Sequence, residues 1–206
     1  MANEFFNIAS FREALSSGAK PNLFRCVINP SDELSSNLSG EGLDVVFSAT
    51  DGTFPFLCRS AAVPAMTLGV IEVPFRGRRI KVPGDRTFAD WTVTVINDED
   101  QAMRRAFSNW MNYINAVNGE EALRANAGDY RCTIRIEHLR ADGTASRVYE
   151  LYDAFPTDLG AIDLSYDTVD AIQEFTVSFQ YHFMQAGSTS EAGTDAGDPV
   201  IGVDPA

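Results

Sequence analysis

Apolar residues along this chain follow two rhythms. From 171 to 183, Phe175, Val177, Phe179, Tyr181 and Phe183 alternate with Glu174, Thr176, Ser178 and Gln180. Period-two alternation predicts a half-buried strand, here about 40 Å long at about 3.3 Å per residue. Shorter alternations occur at Tyr130–Glu137, at Arg147–Tyr152, and across Phe88–Ile96, where Trp91, Val93 and Val95 oppose Thr92, Thr94 and Ile96. Leu23–Ile28 is a further strand candidate ending at Asn29-Pro30. The second rhythm is helical. Met103, Phe107, Trp110, Ile114 and Val117 share one face, with Asn97-Asp98 and Gln101 as a capping box and Asn118-Gly119 as the stop. This predicts a helix of about 30 Å that covers one side of a sheet. Residues 5–17 form a shorter amphipathic candidate, with Phe5, Ile8 and Leu15 on one side and Gly18 ending it.

Turn residues divide these elements. Asp51-Gly52 predicts a hairpin over 43–63, with the apolar Phe54-Pro55-Phe56-Leu57 near its tip. An apolar tip of this kind either folds back on its own core or projects and is buried by another subunit, and the second is expected here because other features point to assembly. Leu68–Pro74 and Ile80–Val82 flank a basic turn of Arg76, Gly77, Arg78 and Arg79, extended by Lys81. Val82-Pro83-Gly84-Asp85 fits a type II turn, and Asp142-Gly143 a hairpin turn. Residues 31–42 and 153–163 read as loops. Residues 186–206, rich in Gly, Ser, Thr, Asp and Pro, read as a flexible acidic tail.

Charge sharpens this picture. The net charge of −13 includes Glu191, Asp195, Asp198 and Asp204 of the tail, with no base among them. Stable nucleic-acid binding needs clustered Lys and Arg to displace phosphate counterions, so it is not expected. The Arg76–Lys81 cluster is short and has only Phe75 beside it, which suits a solvated turn or a salt bridge between subunits. Cys26, Cys58 and Cys132 are odd in number and far apart, which argues for reduced thiols and against a disulfide framework. The N-terminus lacks a basic segment and long apolar core, so no signal peptide is expected, and no apolar run is long enough for a membrane helix. His138 and His182 sit at strand ends without shared spacing, and Asp98, Glu99 and Asp100 suit a helix first turn. No catalytic constellation, metal site or cofactor site is expected.

Three separated blocks carry a family resemblance. LGVIEVPFRGRRIKVPGDRTFADWTVTVINDED with the following FSNWM, the ending AFPTDLGAIDLSYDTVDAIQEFTVSFQYHF, and the opening FREALSSGAKPNLF appear in one order. Together they resemble the tail tube proteins of T-even-like contractile phage tails, a family related to tailocin and type VI secretion tubes. The resemblance implies a mainly β fold: a two-sheet antiparallel sandwich or barrel with one long helix packed outside. Residues 1–185 would form the tube domain, with a short N-terminal segment 1–20 and the 43–63 hairpin projecting. It further implies hexameric rings whose inner sheets join into one barrel, stacked into a tube inside a sheath. Expected partners are the sheath protein, the baseplate tube initiator, the tail terminator, and tape-measure protein and DNA transiently in the lumen. The expected location is the virion tail, after assembly in the host cytoplasm.

Within that frame, Phe5, Phe6, Asp51, Phe54, Phe56 and Leu57 are candidates for stacking between rings, being apolar yet locally unsupported. Arg76, Arg78, Arg79 and Lys81 are candidates for charge contacts between subunits. Glu174, Thr176, Ser178 and Gln180 are candidates for the lumen wall, where acidic groups would repel phosphate. Two alternatives remain open: the tube of a genome-free injection device, and a monomeric barrel holding a small apolar ligand.

Overall fold

A computed structural model describes residues 7–15, 18–38, 46–47, 52–115, 130–167 and 169–187. In chain order these comprise α1 (Ile8–Leu15), β1 (Phe24–Pro30), α2 (Asp32–Leu38), α3 (Phe54–Leu57), β2 (Cys58–Ala61), β3 (Met66–Phe75), β4 (Arg78–Phe88), β5 (Trp91–Ile96), α4 (Ala102–Ile114), β6 (Cys132–Leu139), β7 (Ala145–Leu159), β8 (Glu174–Gln180) and β9 (Phe183–Gly187). All the strand pairs are antiparallel.

The architecture is mainly β with antiparallel sheets, as expected; two of the sheets share one long strand, and β3–β4 stands apart as a third. Residues 145–154 of β7 pair with β6, which pairs with β1, while β9 lies along the other edge of the same half. Residues 155–159 of β7 instead pair with β8, followed by β5 and β2. The strand changes sheets at Asp153, whose φ of 56° kinks the backbone. Residues 153–159 are thus strand rather than the expected loop. Phe155-Pro156 interrupts the alternation, but Pro is tolerated where a strand lies at a sheet edge.

Between β5 and β8 the register matches Trp91 with Phe179, Val93 with Val177 and Val95 with Phe175. All six side chains are buried, and their neighbours Thr92, Thr176 and Gln180 are exposed on the opposite face. The α4 helix adds Met103, Ala106, Phe107 and Trp110 to this core. Phe107 meets Phe175 and Phe179 edge-on at 6.3 and 5.9 Å, and Trp110 Nε1 donates to the Tyr130 carbonyl at 2.9 Å. The helix spans 13 residues, about 20 Å at about 1.5 Å per residue, and so is shorter than predicted. It has no capping box: Gln101 sits in the left-handed region just before Ala102, and the Met103 amide donates a long bond of 3.4 Å to Asp98. Asn97 instead joins β5 to the residue before β8, its Nδ2 donating to Gln173 Oε1 at 2.6 Å. The expected stop at Asn118-Gly119 lies outside the described residues.

Other expectations change as well. The long final strand is two, because Tyr181 and His182 break it and β9 crosses to β7. Residues 186 and 187, assigned by composition to the tail, complete β9. Residues 32–38, expected as loop, are helical, with the Leu34 amide donating to Ser31 Oγ at 3.2 Å. That is an N-cap signature, and it seats Leu34 in the core. No 43–63 hairpin forms among the described residues: Phe54–Leu57 is a helical turn and β2 pairs with β5. Nor does 82–85 turn. β4 continues through it, opposite β3, with a register shift at Gly84 and Asp85.

Candidate assembly surfaces

The largest exposed feature is the β3–β4 ribbon, which forms a two-stranded sheet of its own. Arg76 and Gly77, with φ of 44° and 81°, make the tight turn at its tip, and both being left-handed fits a type I′ hairpin. Lower down, the register shifts between Leu68 and Val70, so that Gly84 and Asp85 bulge opposite Gly69. A Cβ on Gly69 would lie 3.2 Å from the Asp85 carbonyl oxygen, so any larger residue there would crowd the bulge. This accounts for the Pro83-Gly84 pair that reads as a turn: it bends a strand instead. At the base, the Ala89 amide donates to the Ala65 carbonyl at 3.0 Å and the Tyr181 hydroxyl to the Ala89 carbonyl at 2.9 Å.

The two faces of this arm differ. Ile71 pairs with Val82 and Val73 with Ile80, and Phe75 follows on the same face. These five side chains are between 42% and 59% exposed, an apolar stripe left in water. On the other face Glu72 lies opposite Lys81, and Arg79 donates to Glu72 at 2.8 Å. Arg76 stacks over Phe75 at 5.5 Å. Of the four bases expected to bridge subunits, Arg79 is therefore already paired within its own ribbon. An isolated two-stranded hairpin is marginal in water, and a ribbon with a bare apolar face is more so.

The second surface is the outer face of the β7–β8–β5–β2 sheet. Thr92 and Ser178 hydroxyls meet at 3.1 Å, Thr157 donates to the Ser178 carbonyl at 3.2 Å, and the Gln180 amide donates to Asp90. Glu174 is bound by Arg59 of β2. This corrects the expected acidic wall: Glu174, Thr176, Ser178 and Gln180 do share one strand, but the carboxylate charge is compensated. Among the described residues the sheet has two unpaired edges, β2 and the 155–159 half of β7.

The stacking candidates separate. Phe54 is 0% exposed, 6.0 Å from both the Phe47 and Phe107 rings, and belongs to the subunit core. Phe56, two residues on, is 84% exposed, and Leu57 is half-buried. One helical turn rather than a hairpin explains the split, since it sends neighbouring side chains in different directions. Phe5, Phe6 and Asp51 lie outside the described residues. Sequence reasoning missed a further patch between β7 and β8, where Leu164, Tyr166, Val169 and Ile172 are 71% to 104% exposed. Its signal is visible afterwards: apolar residues interleaved with Asp163, Asp167 and Asp170, fitting neither strand nor helix period.

None of these surfaces gathers reactive groups. Among the described residues, no three His, Cys, Asp or Glu side chains are placed to hold a metal. The three thiols are free and buried. Contact with Cys58 and burial push the Cys26 thiol far above its usual range, and burial does the same to Cys132. Both are thereby held neutral, the opposite of an activated nucleophile.

Comparison with known proteins agrees with the geometry. A family profile described as phage tail tube protein matches residues 19–185. The tail tube protein gp19 of Enterobacteria phage T4 is 35% identical over 133 residues, which are 64% of this chain and 81% of that protein. Two solved structures share the fold at 13% identity. The sheath–tube complex of the extracellular contractile injection system PVC gives a TM-score of 0.55, covering 88% of this chain and 99% of the other. The sheath/tube terminator of the same system gives 0.56, covering 82% and 96%.

Proposed function

The chain belongs to the phage tail tube protein family and is a tail tube protein of contractile phage tails, and from that premise we propose how its copies build the tube. The β2 edge of one copy pairs with the 155–159 edge of the next, and six copies close a ring. Pairing removes both exposed edges, which would otherwise be an aggregation hazard. The hydroxyl-rich outer face of the shared sheet then lines the lumen. With Glu174 neutralised by Arg59, that wall offers phosphate neither a cluster of bases to bind nor a strong field to cross.

The observation that carries this reading is the β3–β4 arm. Its apolar stripe of Ile71, Val73, Phe75, Ile80 and Val82 is covered by nothing among the described residues of the subunit, and a second copy is the partner always at hand. Arg76, Arg78 and Lys81 at its outer end meet acidic groups on that neighbour. Five bases against two acids between 66 and 88 contrast with the net −13 of the whole chain. Phe56, with Phe5, Phe6, Asp51 and Leu57, contributes to stacking between rings. Phe54 is withdrawn from that role because it is core.

The same reading makes the chain a structural subunit without catalysis, assembled in the host cytoplasm. Sheath, initiator and terminator proteins would be its lasting partners, with tape-measure protein and then DNA passing through. A phage tail is favoured over a genome-free injector because the 35% identity is to a phage protein, whereas the injection-system likeness extends to fold alone. A monomeric ligand-binding barrel is disfavoured by an interior filled with Trp91, Trp110, Phe47, Phe107 and Phe179.

The test is a triple variant, Ile71→Ser, Val73→Ser and Ile80→Ser. All three residues are exposed, so the urea midpoint of dilute protein should stay put while sedimentation shows assembly abolished. Assembly persisting at wild-type concentration would contradict the proposed role of the arm.

A further inference from the structure

Where α1 runs into β1, an open groove of about 740 Å³ lies between that segment and the β6–β7 hairpin. Lys20, His138, Arg140 and Arg147 line it. Among the described residues none of Lys20, Arg140 and Arg147 forms an ion pair. Asp142 is the one acid among the lining residues; it accepts from the Thr144 amide at 2.9 Å and the Thr144 hydroxyl at 2.6 Å, and its charge also acts on Arg140, leaving two of the three positive charges uncompensated among the described residues. The Arg147 guanidinium lies over the Tyr149 ring at 5.4 Å. Three bases thus converge on a hollow in a chain of net charge −13. None of the assembly surfaces above uses this hollow.

The topology delivers an acidic segment to the same place. β9 runs antiparallel to β7, with Tyr149 opposite Ala186 and Val148 opposite Gly187 as the last partners. Arg147 is the next residue of β7 beyond the end of that ladder. Beyond Gly187 come residues 188–206, with Glu191, Asp195, Asp198 and Asp204 and no base. At about 3.3 Å per residue, Glu191 is within about 13 Å of Gly187 and Asp195 within about 26 Å. The family match ends at residue 185, before this segment begins.

We propose that the acidic segment after Gly187 docks in the groove of its own subunit, with Glu191 and Asp195 neutralising Lys20, Arg140 and Arg147. Bases that would otherwise be free to bind phosphate are thereby shielded. The segment is also kept at the end of the sheet bearing β1, β6 and β9. The proposal stands on the groove and the ladder, and does not depend on the tube reading.

The chain supplies its own probe, because Lys20 and Lys81 are its only lysines. One lies in the groove and the other on the arm. A carbodiimide joins a carboxylate to an amine with no spacer, so it reports direct ion pairs. Applied to the full chain at low salt, it should join Glu191 or Asp195 to Lys20, read by mass spectrometry after chymotryptic digestion. The product should disappear at about 1 M salt, where the Debye length is about 3 Å, and in the Arg140→Glu, Arg147→Glu variant. An equal mixture of nitrogen-14 and nitrogen-15 chains should give products of unmixed mass. Mixed-mass products would assign the groove to a second copy and overturn the proposal. So would a tail joined to Lys81 alone, no Lys20 product at low salt, or a product indifferent to salt.

Discussion

Two phenylalanines two residues apart give the sharpest test of the subunit's interior. Phe54 has no exposed surface and sits between Phe47 and Phe107, while Phe56 is 84% exposed on the same helical turn. Truncating a fully buried Phe to Ala removes its transfer free energy and leaves a cavity, costing about 3–5 kcal/mol. For a domain of this size about 1 kcal/mol corresponds to roughly 2–4 °C in Tm. Phe54→Ala is therefore expected to lower Tm by about 6–20 °C. Phe56→Ala, which uncovers no core, should stay within about 0.5 kcal/mol of the parent. The assay is urea unfolding at concentrations below assembly, followed by Trp fluorescence. Trp110 is 5.8 Å from the Phe47 ring and reports this cluster directly. Dilution matters because association stabilises the folded state by mass action. If Phe54→Ala costs less than about 1 kcal/mol in the monomer yet blocks assembly, Phe54 is an interface residue and the core assignment is refuted.

Other outcomes follow from the ion pairs and titrating groups. Glu137 is 3% exposed and contacts Arg25 at 2.7 Å and Arg135 at 3.0 Å. Both arginines still reach water, so Glu137→Gln should cost about 1–3 kcal/mol in urea, below the full cost of orphaning a buried charge. Tyr152 donates to Glu150 at 2.6 Å, and that bond, with burial, raises its pKa to about 12. Because the folded value lies above the unfolded one, this contribution to stability is complete below about pH 10 and is lost as pH rises through about 12. Absorbance at alkaline pH should show Tyr152 titrating late, alongside Tyr181, whose pKa burial and Asp90 also raise, and Glu150→Gln should bring back the Tyr152 component alone. The buried thiols of Cys26 and Cys132 should resist an aromatic disulfide reagent until urea unfolds the chain. Rapid labelling of the native protein would contradict their burial.

Much of this was legible in the chain, for a reason that differs by element. Trp91, Val93, Val95, Phe175, Val177 and Phe179 alternate strictly because one sheet face is buried and the other wet, so periodicity alone places them. The helical stripe of Met103, Phe107 and Trp110 was equally plain. What misled was punctuation. Asp51-Gly52 and Pro83-Gly84 look alike as turn signals, but one stands just before a helical turn and the other at a bulge inside a strand. Distinguishing them needs the pairing partner, which is a long-range fact. The β7 strand was cut short at Asp153 because a left-handed residue that passes a strand between sheets looks locally like a loop. The apolar hairpin expected over 43–63, with its tip at 51–57, does not form among the described residues, and an exposed apolar ribbon stands at 66–88 instead. Its stripe of Ile71, Val73, Ile80 and Val82 reads as ordinary sheet core until no second layer is found above it.

The central claim is that this subunit is a wall element whose exposed arm and open sheet edges are satisfied only by further copies of itself. Electron microscopy of the purified chain at rising concentration tests it most directly. The account predicts hollow rings of six copies that stack coaxially, with the β7–β8–β5–β2 sheet lining the channel. Particles that remain monomeric at high concentration, or that associate without a central channel, would contradict it.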